Sequence, residues 1–247
     1  MDAKATHLGI RVGSVDMTMK QSEFVKSVVS TGAETQMIPW CPPRWLRALS
    51  ADSDLFEELE ASSKTAPDGW MLLPRCAVFG VSDGSAKNLL LAAMVWGFGS
   101  VAYGPSRTQK MLKTKDAVSR LEGIVAAART SPSAGYGALW QRGADIKYLK
   151  SAMGTKLLYF AGYDASTARG PLVVDANVLR ALNHLESVSF PKYANQLTTA
   201  EYEDYIARAE SWGDKAGASS DAVEYTLFEL GKSLAGRGSS SRRRPCG

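Results

Sequence analysis

Lys156 and Asp175 have opposite charges, lie 19 positions apart, and are the residues whose types most suggest covalent chemistry. A lysine amine of lowered pKa can attack an electrophilic carbon and form a Schiff base. A fixed carboxylate can stabilise the cationic charge that develops during such an attack. The pair is therefore a hypothesis for nucleophilic catalysis, although a helix-capping aspartate and a helical lysine are both common for purely structural reasons.

The local pattern predicts how the two side chains are held. Gly154 permits a tight turn between two helices, which would place Lys156 in the first turn of the second helix. The partial positive charge of a helix N-terminus disfavours an ammonium there, which would lower the pKa of the lysine. Desolvation by the apolar residues 157–160 would lower that pKa further. Asp175 directly precedes a helical pattern over 176–185, so we expect it to cap that helix and to stay ionised.

The elements that must position this pair are predominantly helical. Apolar spacing predicts two short helices over 44–59, interrupted near 50–53, and further helices over 86–96 and 116–129. Thr198 and Glu201 form a capping-box pattern that opens another helix, and Asp221 opens the last one. Strand signals are confined to the first 40 or so residues and to 76–81. We therefore predict a mainly α fold with a small irregular or β element near the N-terminus.

Composition excludes several classes of protein. The chain has 247 residues, of which 45% are hydrophobic and 22% charged, which is typical of one large or two small globular domains. No apolar run reaches the roughly 18–20 residues of a membrane span, and the first residues lack the pattern of a secretory signal. Three cysteines (Cys41, Cys76, Cys246) and two histidines (His7, His184) predict a reduced, cytoplasmic protein with neither a disulfide framework nor a metal centre.

The formal net charge of +4 is concentrated at the C-terminus. Residues 237–247 are low in complexity and contain four arginines, so we predict a disordered basic tail that either contacts phosphates or only improves solubility. The remaining 1–236 would form one domain, in which the first 40 or so residues are difficult to interpret. Because that body is nearly neutral, any nucleic-acid surface on it must be a local patch.

About 35 residues around the pair resemble the helix-hairpin-helix, Gly/Pro-Asp superfamily of DNA glycosylases, specifically its 8-oxoguanine branch. That branch carries Gly-x-Gly-Thr-Lys, whose lysine is the nucleophile, and then Pro-Val-Asp, whose aspartate is the second catalytic residue. Here Gly154, Thr155 and Lys156 supply the end of the first motif, and Asp175 follows at the separation that the branch uses. Asn177 stands where the eukaryotic enzymes have a histidine that helps hold the DNA backbone.

The chain also departs from the family pattern. The hairpin usually reads Leu-Pro-Gly-x-Gly, whereas residues 150–154 keep only the second glycine. Val173 and Val174 precede the aspartate, and the proline is displaced to Pro171. The cysteines of the iron–sulfur branch are absent. The rest of the chain resembles, more loosely, small bacterial proteins described as having an 8-oxoguanine glycosylase-like fold.

The resemblance implies a helix-hairpin-helix glycosylase fold with its active site between two helical subdomains. It further implies a monomeric, nucleoid-associated enzyme that flips a modified base out of double-stranded DNA, excises it and cleaves the strand by lyase chemistry. Lys156 would be the nucleophile and Asp175 would stabilise the developing charge, without a metal or organic cofactor. Gly154, Thr155 and Asn177 would contact the DNA backbone.

Recognition of the base is harder to predict from the sequence. By analogy with the related enzymes we expect Phe160 and Phe228 to stack on the base and Glu224 to hydrogen-bond its edge, although both phenylalanines could equally be core residues. Trp96 and Trp140 are further aromatic candidates. His184 is expected to be an ordinary helix-end histidine, and the turn over 103–107 could carry an arginine to phosphate or to the orphaned base.

Two alternatives to 8-oxoguanine excision remain open at this stage. The same lysine and aspartate could act on a different modified base, for instance one used in phage DNA. Alternatively, the chain could be a DNA-binding module that retains the fold without excision, which the altered hairpin favours and the retained pair disfavours.

Overall fold

A computed structural model of the chain describes residues 19–30, 32–81, 84–141, 145–164, 166–167, 169–186, 189–236 and 246. These residues are mainly helical, as predicted. The helices are α1 (Met19–Ser27), α2 (Pro42–Ala48), α3 (Ser53–Ala61), α4 (Arg75–Phe79), α5 (Ala86–Phe98), α6 (Gly104–Leu112), α7 (Ala117–Thr130), α8 (Pro132–Ala138), α9 (Ser151–Gly162), α10 (Ala176–Leu185), α11 (Thr199–Ala216) and α12 (Ser220–Leu234).

A small antiparallel sheet accompanies the helices. Its strands are β1 (Met37–Trp40), β2 (Lys64–Thr65) and β3 (Met71–Pro74), and β3 lies in the centre. Met37 pairs with Pro74 and Trp40 with Met71. The β element expected near the N-terminus is confirmed in β1. Its partners β2 and β3 lie outside the stretches in which strands were predicted.

The strand predicted over 76–81 is wrong, because most of that run lies in α4. Pro74 ends β3 in an extended conformation and serves as the N-cap of α4. The turn of helix buries Val78 and the guanidinium-bearing side chain of Arg75. A run of six mostly apolar residues has no periodicity that separates a strand from a short helix.

Helix α5 is the central element of the core. Every residue from Leu89 to Trp96 is buried, so α5 is enclosed on all sides and has no solvent-facing stripe. Ser85 caps it by accepting a hydrogen bond from the Asn88 amide at 3.1 Å. It ends before Gly99, whose φ of 53° reverses the chain. It packs against α7 and α9, and its C-terminal turn therefore reaches the helix that carries Lys156.

The helices predicted over 44–59, 86–96 and 116–129 and from the two C-terminal capping patterns agree with the structure. Thr198 caps α11 and forms the predicted capping box with Glu201. The interruption predicted near 50–53 is a single 3-10 turn between α2 and α3. In the part of the chain described here, no helix is both long and apolar enough to cross a membrane.

The expectation that no cysteines are paired is wrong, because Cys41 and Cys246 form a disulfide. Cys41 is buried at the N-cap of α2, directly after β1. The two residues are 205 positions apart, so spacing along the chain gave no sign of the pairing. Cys76 is free and exposed. The prediction of a disordered tail falls on residues that, apart from Cys246, lie outside the described ones.

Candidate active site

Helix α9 begins earlier than the sequence pattern predicts. It starts at Ser151, so Gly154 lies inside it and Lys156 stands in the second turn rather than the first. A β-carbon at Gly154 would lie 2.6 Å from a methyl carbon of Leu139. Gly154 therefore allows close packing of α9 on the segment after α8. Because Lys156 lies beyond the first turn, the partial positive charge of the helix N-terminus is not expected to act on its ammonium.

The Lys156 side chain is almost entirely buried, with 8% of its surface exposed. Its ammonium donates a hydrogen bond to the Ala152 carbonyl at 3.0 Å. Its aliphatic stem crosses α5 at Gly97, where an added β-carbon would lie 2.6 Å from Lys156 Cδ and 2.8 Å from Met153 Cε. The missing side chain at Gly97 thus provides the channel through which Lys156 reaches the site.

We expect Gly97→Ala to reduce the reactivity of Lys156 at least about tenfold, because a small misplacement of a reacting group can cost that much. The added methyl group should also overpack this contact, at about 1–3 kcal/mol of stability. Gly123→Ala is the matched control, because Gly123 is also helical and has no atom within 4 Å of the added carbon. Comparing initial rates of lysine adduct formation and melting temperatures tests this; equal rates in both variants would contradict it.

Asp175 caps α10 as predicted. Its Oδ1 accepts hydrogen bonds from the amides of Asn177 at 2.8 Å and Val178 at 3.2 Å. These bonds fix the carboxylate at the start of the helix.

Thr155 connects the Lys156 helix to the segment that leads into Asp175. Its hydroxyl accepts a hydrogen bond from the Val174 amide at 3.1 Å and donates one to the Ser151 carbonyl at 2.7 Å. The side chain is fully buried. Thr155 therefore sets the distance between the two candidate catalytic residues, a structural role that the sequence did not predict. Its contact with DNA stays a prediction.

One small cavity, of about 80 Å³, brings the predicted pair together with two of the three predicted base-binding residues. It is lined by Lys156 from α9, Asp175 from the cap of α10, and Glu224 and Phe228 from α12. Its other walls come from α5, the segment before α10, and the region of β1: Trp96, Gly97, Val173, Gln36 and Ile38. Residues distant in the sequence thus meet at a single site.

The third predicted base-binding residue, Phe160, does not line this cavity. Only 1% of it is exposed, and it lies behind Trp96, with ring centroids 5.3 Å apart in an edge-to-face arrangement. Phe79 packs against it on another side, at 5.1 Å. Phe160 is therefore a core residue. The prediction that it stacks on the base is wrong, because α9 directs its side chain into the core. Phe228 is only half-buried and remains a candidate for stacking.

The other candidates lie elsewhere. His184 borders a separate groove between α1, α10 and α12, at the C-terminal end of α10. Trp140 is partly exposed after α8. The side-chain oxygen of Asn177 accepts a hydrogen bond from Arg180 at 2.8 Å, and its main chain packs closely against Gly231 of α12. Contact of Asn177 with the DNA backbone stays a prediction.

A buried ionic network lies beneath the cavity, and no sequence pattern predicted it. Arg75, with 2% exposed, donates to Glu224 at 3.0 Å and to the Tyr159 hydroxyl at 3.1 Å. It also donates twice to the side-chain oxygen of Gln36, once at 3.1 Å and once through a shorter contact. Tyr159 in turn donates to Asp221 at 2.8 Å. The one feature of the sequence that could have indicated this network is Arg75, a charged residue at the start of an apolar run.

Burial raises the pKa of Glu224 from its ordinary value of 4.5 to about 7, although Arg75 opposes the rise. The folded protein therefore holds a proton there that the unfolded chain releases above about pH 4.5. Stability contributed by this proton is present below that pH and is lost as pH rises through about 7.

Glu224→Gln should remove this loss of stability with rising pH, because glutamine does not titrate. The melting temperature of the variant minus that of the wild type should increase between pH 5 and pH 8. Glu229→Gln is the control, since Glu229 lies on the same helix but is only half-buried and pairs with Lys232. A difference for Glu224→Gln that stays constant with pH would contradict this account.

Among the described residues, no cluster of His, Cys, Asp or Glu side chains has the arrangement needed to hold a metal ion. The chemistry available at the cavity is that of an amine, two carboxyl groups and an aromatic wall.

Comparison with known families gives a match over most of the chain. Residues 31–228, about four fifths of the chain, match the model of a family described as "Putative 8-oxoguanine DNA glycosylase OGG-like protein". Comparison with curated proteins and with solved structures gives no significant match. The matched region contains every residue that lines the cavity. The chain therefore belongs to this family of 8-oxoguanine DNA glycosylase-like proteins.

Proposed function

We propose that the protein is a DNA glycosylase with lyase activity that excises 8-oxoguanine from duplex DNA. The observation that carries the proposal is the placement of Lys156 and Asp175 in one cavity beside Glu224 and Phe228. Family membership supports DNA glycosylase chemistry in general. The identity of the base and the lyase step go beyond this family membership and are proposed here from the chemistry of the cavity.

The proposed reaction begins with extrusion of the damaged nucleotide, because its glycosidic bond is inaccessible inside the duplex. The bond between C1′ and the base breaks, and its electron pair leaves with the base, which then takes up a proton. Asp175 stabilises the positive charge that develops on the sugar. The Lys156 amine, after losing its proton, forms a bond to C1′, and ring opening gives a Schiff base. Loss of a C2′ proton then expels the 3′ phosphate.

The cavity must enlarge to admit a purine. Side-chain rearrangement of this kind is common at interfaces on binding. Phe228 is half-buried and stands at the cavity wall, so it is the side chain that we expect to move and then to stack on the base.

An exposed surface beside the N-terminus of α9 supports a nucleic-acid partner. Its aromatic rings each lie within about 5.5 Å of a cationic group, as in nucleic-acid-binding surfaces that combine charge with stacking. Tyr148 there has a φ of 68°, a strained conformation for a residue other than glycine. The pairs are Arg107 with Tyr103 and Tyr148, Lys147 with Tyr148, Lys150 with Trp140, and Lys192 with Tyr193.

The test of the proposal is reductive trapping. The protein is incubated with sodium borohydride and duplexes that contain 8-oxoguanine, other modified bases or no lesion. We expect a covalent protein–DNA adduct with the 8-oxoguanine duplex. An adduct only with other modified bases would overturn the assignment of the substrate, and binding without any adduct would overturn the assignment of the activity.

A further inference from the structure

One wall of the cavity is a tryptophan whose buried indole N–H is not used by any described residue. Trp96 lines the cavity with 4% of its surface exposed, and its indole N–H has no hydrogen-bond partner among the described residues. Buried indole N–H groups usually find a partner, because leaving one unpaired costs about 1–3 kcal/mol. A partner supplied by the occupant of the cavity would remove this cost.

Neighbouring groups show which polar atoms of the cavity remain available. The side-chain oxygen of Gln36 is taken by Arg75, so its amide nitrogen is the atom that can still donate. In Glu224, Oε2 accepts from Arg75, which leaves Oε1 as an acceptor once the carboxyl group has lost its proton above about pH 7. The site therefore offers donors at Trp96 and Gln36, and an acceptor at Glu224.

Arg75 fixes Trp96 and Glu224 relative to each other. Its guanidinium lies 5.0 Å from the centre of the Trp96 ring and donates to Glu224 at 3.0 Å. Phe160 packs against another edge of the indole. The donor of Trp96 and the acceptor of Glu224 are thus held in place before any ligand enters.

We propose that Trp96 is a specificity-determining residue whose indole N–H donates to the C6 carbonyl oxygen of the extruded base, beside the N1–H of that base, which donates to Glu224. This inference rests on the proposed function. A guanine-type base has a carbonyl oxygen at C6 next to N–H donors, which matches the arrangement. An adenine-type base carries an amino group at C6, which would place a donor against a donor. The site should therefore select 6-oxopurines over 6-aminopurines.

The test uses Lys156→Gln protein, which retains the cavity but lacks the nucleophile. Its affinity is measured at about pH 8, where the Glu224 carboxyl group has lost its proton, for two duplexes that carry 8-oxoguanine or 8-oxoadenine at one position. Adding Trp96→Phe keeps an aromatic ring and removes the donor. We expect a three- to tenfold loss of affinity for the 8-oxoguanine duplex, the size of one neutral hydrogen bond, and no change for the 8-oxoadenine duplex. Equal losses for both duplexes, or no loss, would overturn the inference.

Trp40→Phe is the control, because it also removes an indole N–H from a buried tryptophan. That N–H donates to Ser63 at 3.0 Å and not into the cavity. Its affinity for the 8-oxoguanine duplex should be unchanged.

A second measurement observes the indole N–H of Trp96 directly. The indole N–H resonance of Trp96 in Lys156→Gln protein, assigned by its loss in Trp96→Phe, is followed by NMR as each duplex is added. A shift with 8-oxoguanine and none with 8-oxoadenine supports the inference. An unchanged resonance while 8-oxoguanine DNA binds overturns the role of Trp96 alone. Failure of every duplex to bind overturns the proposed function and this inference with it.

Discussion

Lys156→Ala should abolish the borohydride-trapped adduct and reduce base excision by at least about a thousandfold, because removal of a nucleophile eliminates the covalent route. The fold should tolerate the change. Among the described residues, the Lys156 ammonium donates a single hydrogen bond, to a carbonyl of its own helix, so its loss leaves no described buried charge unpaired. Gel analysis of trapped complexes and single-turnover excision, together with thermal unfolding, provide the measurement.

The control for this substitution is Lys87→Ala. Lys87 lies in α5 and is half-buried, and its ammonium pairs with Asp52 outside the cavity. This variant should still form the adduct. An adduct of normal yield in Lys156→Ala would show that another amine is the nucleophile.

Asp175→Asn should leave the protein folded and lower excision by about a hundredfold or more. Asparagine also accepts hydrogen bonds at a helix N-cap, so the bonds from the amides of Asn177 and Val178 can be retained. What is lost is the negative charge that stabilises the cationic sugar, an electrostatic contribution of several kcal/mol in comparable sites. Excision rates and melting temperatures of the variant provide the measurement.

Asp116→Asn is the matched control, since Asp116 is also an N-cap residue but makes no side-chain capping bond and precedes α7. Its excision rate should equal that of the wild type. Near-normal excision in Asp175→Asn would remove the carboxylate from the mechanism and leave Asp175 as a helix cap only.

The cap at Asp175 and most of the helices follow from local signals, whereas the choice of Lys156 and Asp175 as a catalytic pair follows from the resemblance to the glycosylase motif. A capping residue and the apolar spacing behind it act within a few positions, so the sequence reveals them directly. The sequence places the start of α9 too late, because a glycine at position 154 suggests a turn. In the structure, a small residue is needed there to pack against Leu139. A glycine alone does not say which of these two requirements it meets.

The rest of the site depends on contacts between residues far apart in the chain. Arg75 and Glu224 are 149 positions apart and pair only after α4 and α12 pack on the core. The indole of Trp96 becomes part of the cavity through the packing of α5 on α9. The Cys41–Cys246 disulfide is of the same kind. Tertiary packing creates these relationships, so no local pattern predicts them.

The most direct test of the central claim is to locate the trapped adduct within the chain. Wild-type protein is trapped with borohydride on a duplex that contains 8-oxoguanine, digested with protease and nuclease, and analysed by mass spectrometry. We predict a sugar remnant bound through a secondary amine to Lys156. An adduct on any other lysine, or no adduct on a duplex that the protein binds, would contradict the proposed mechanism.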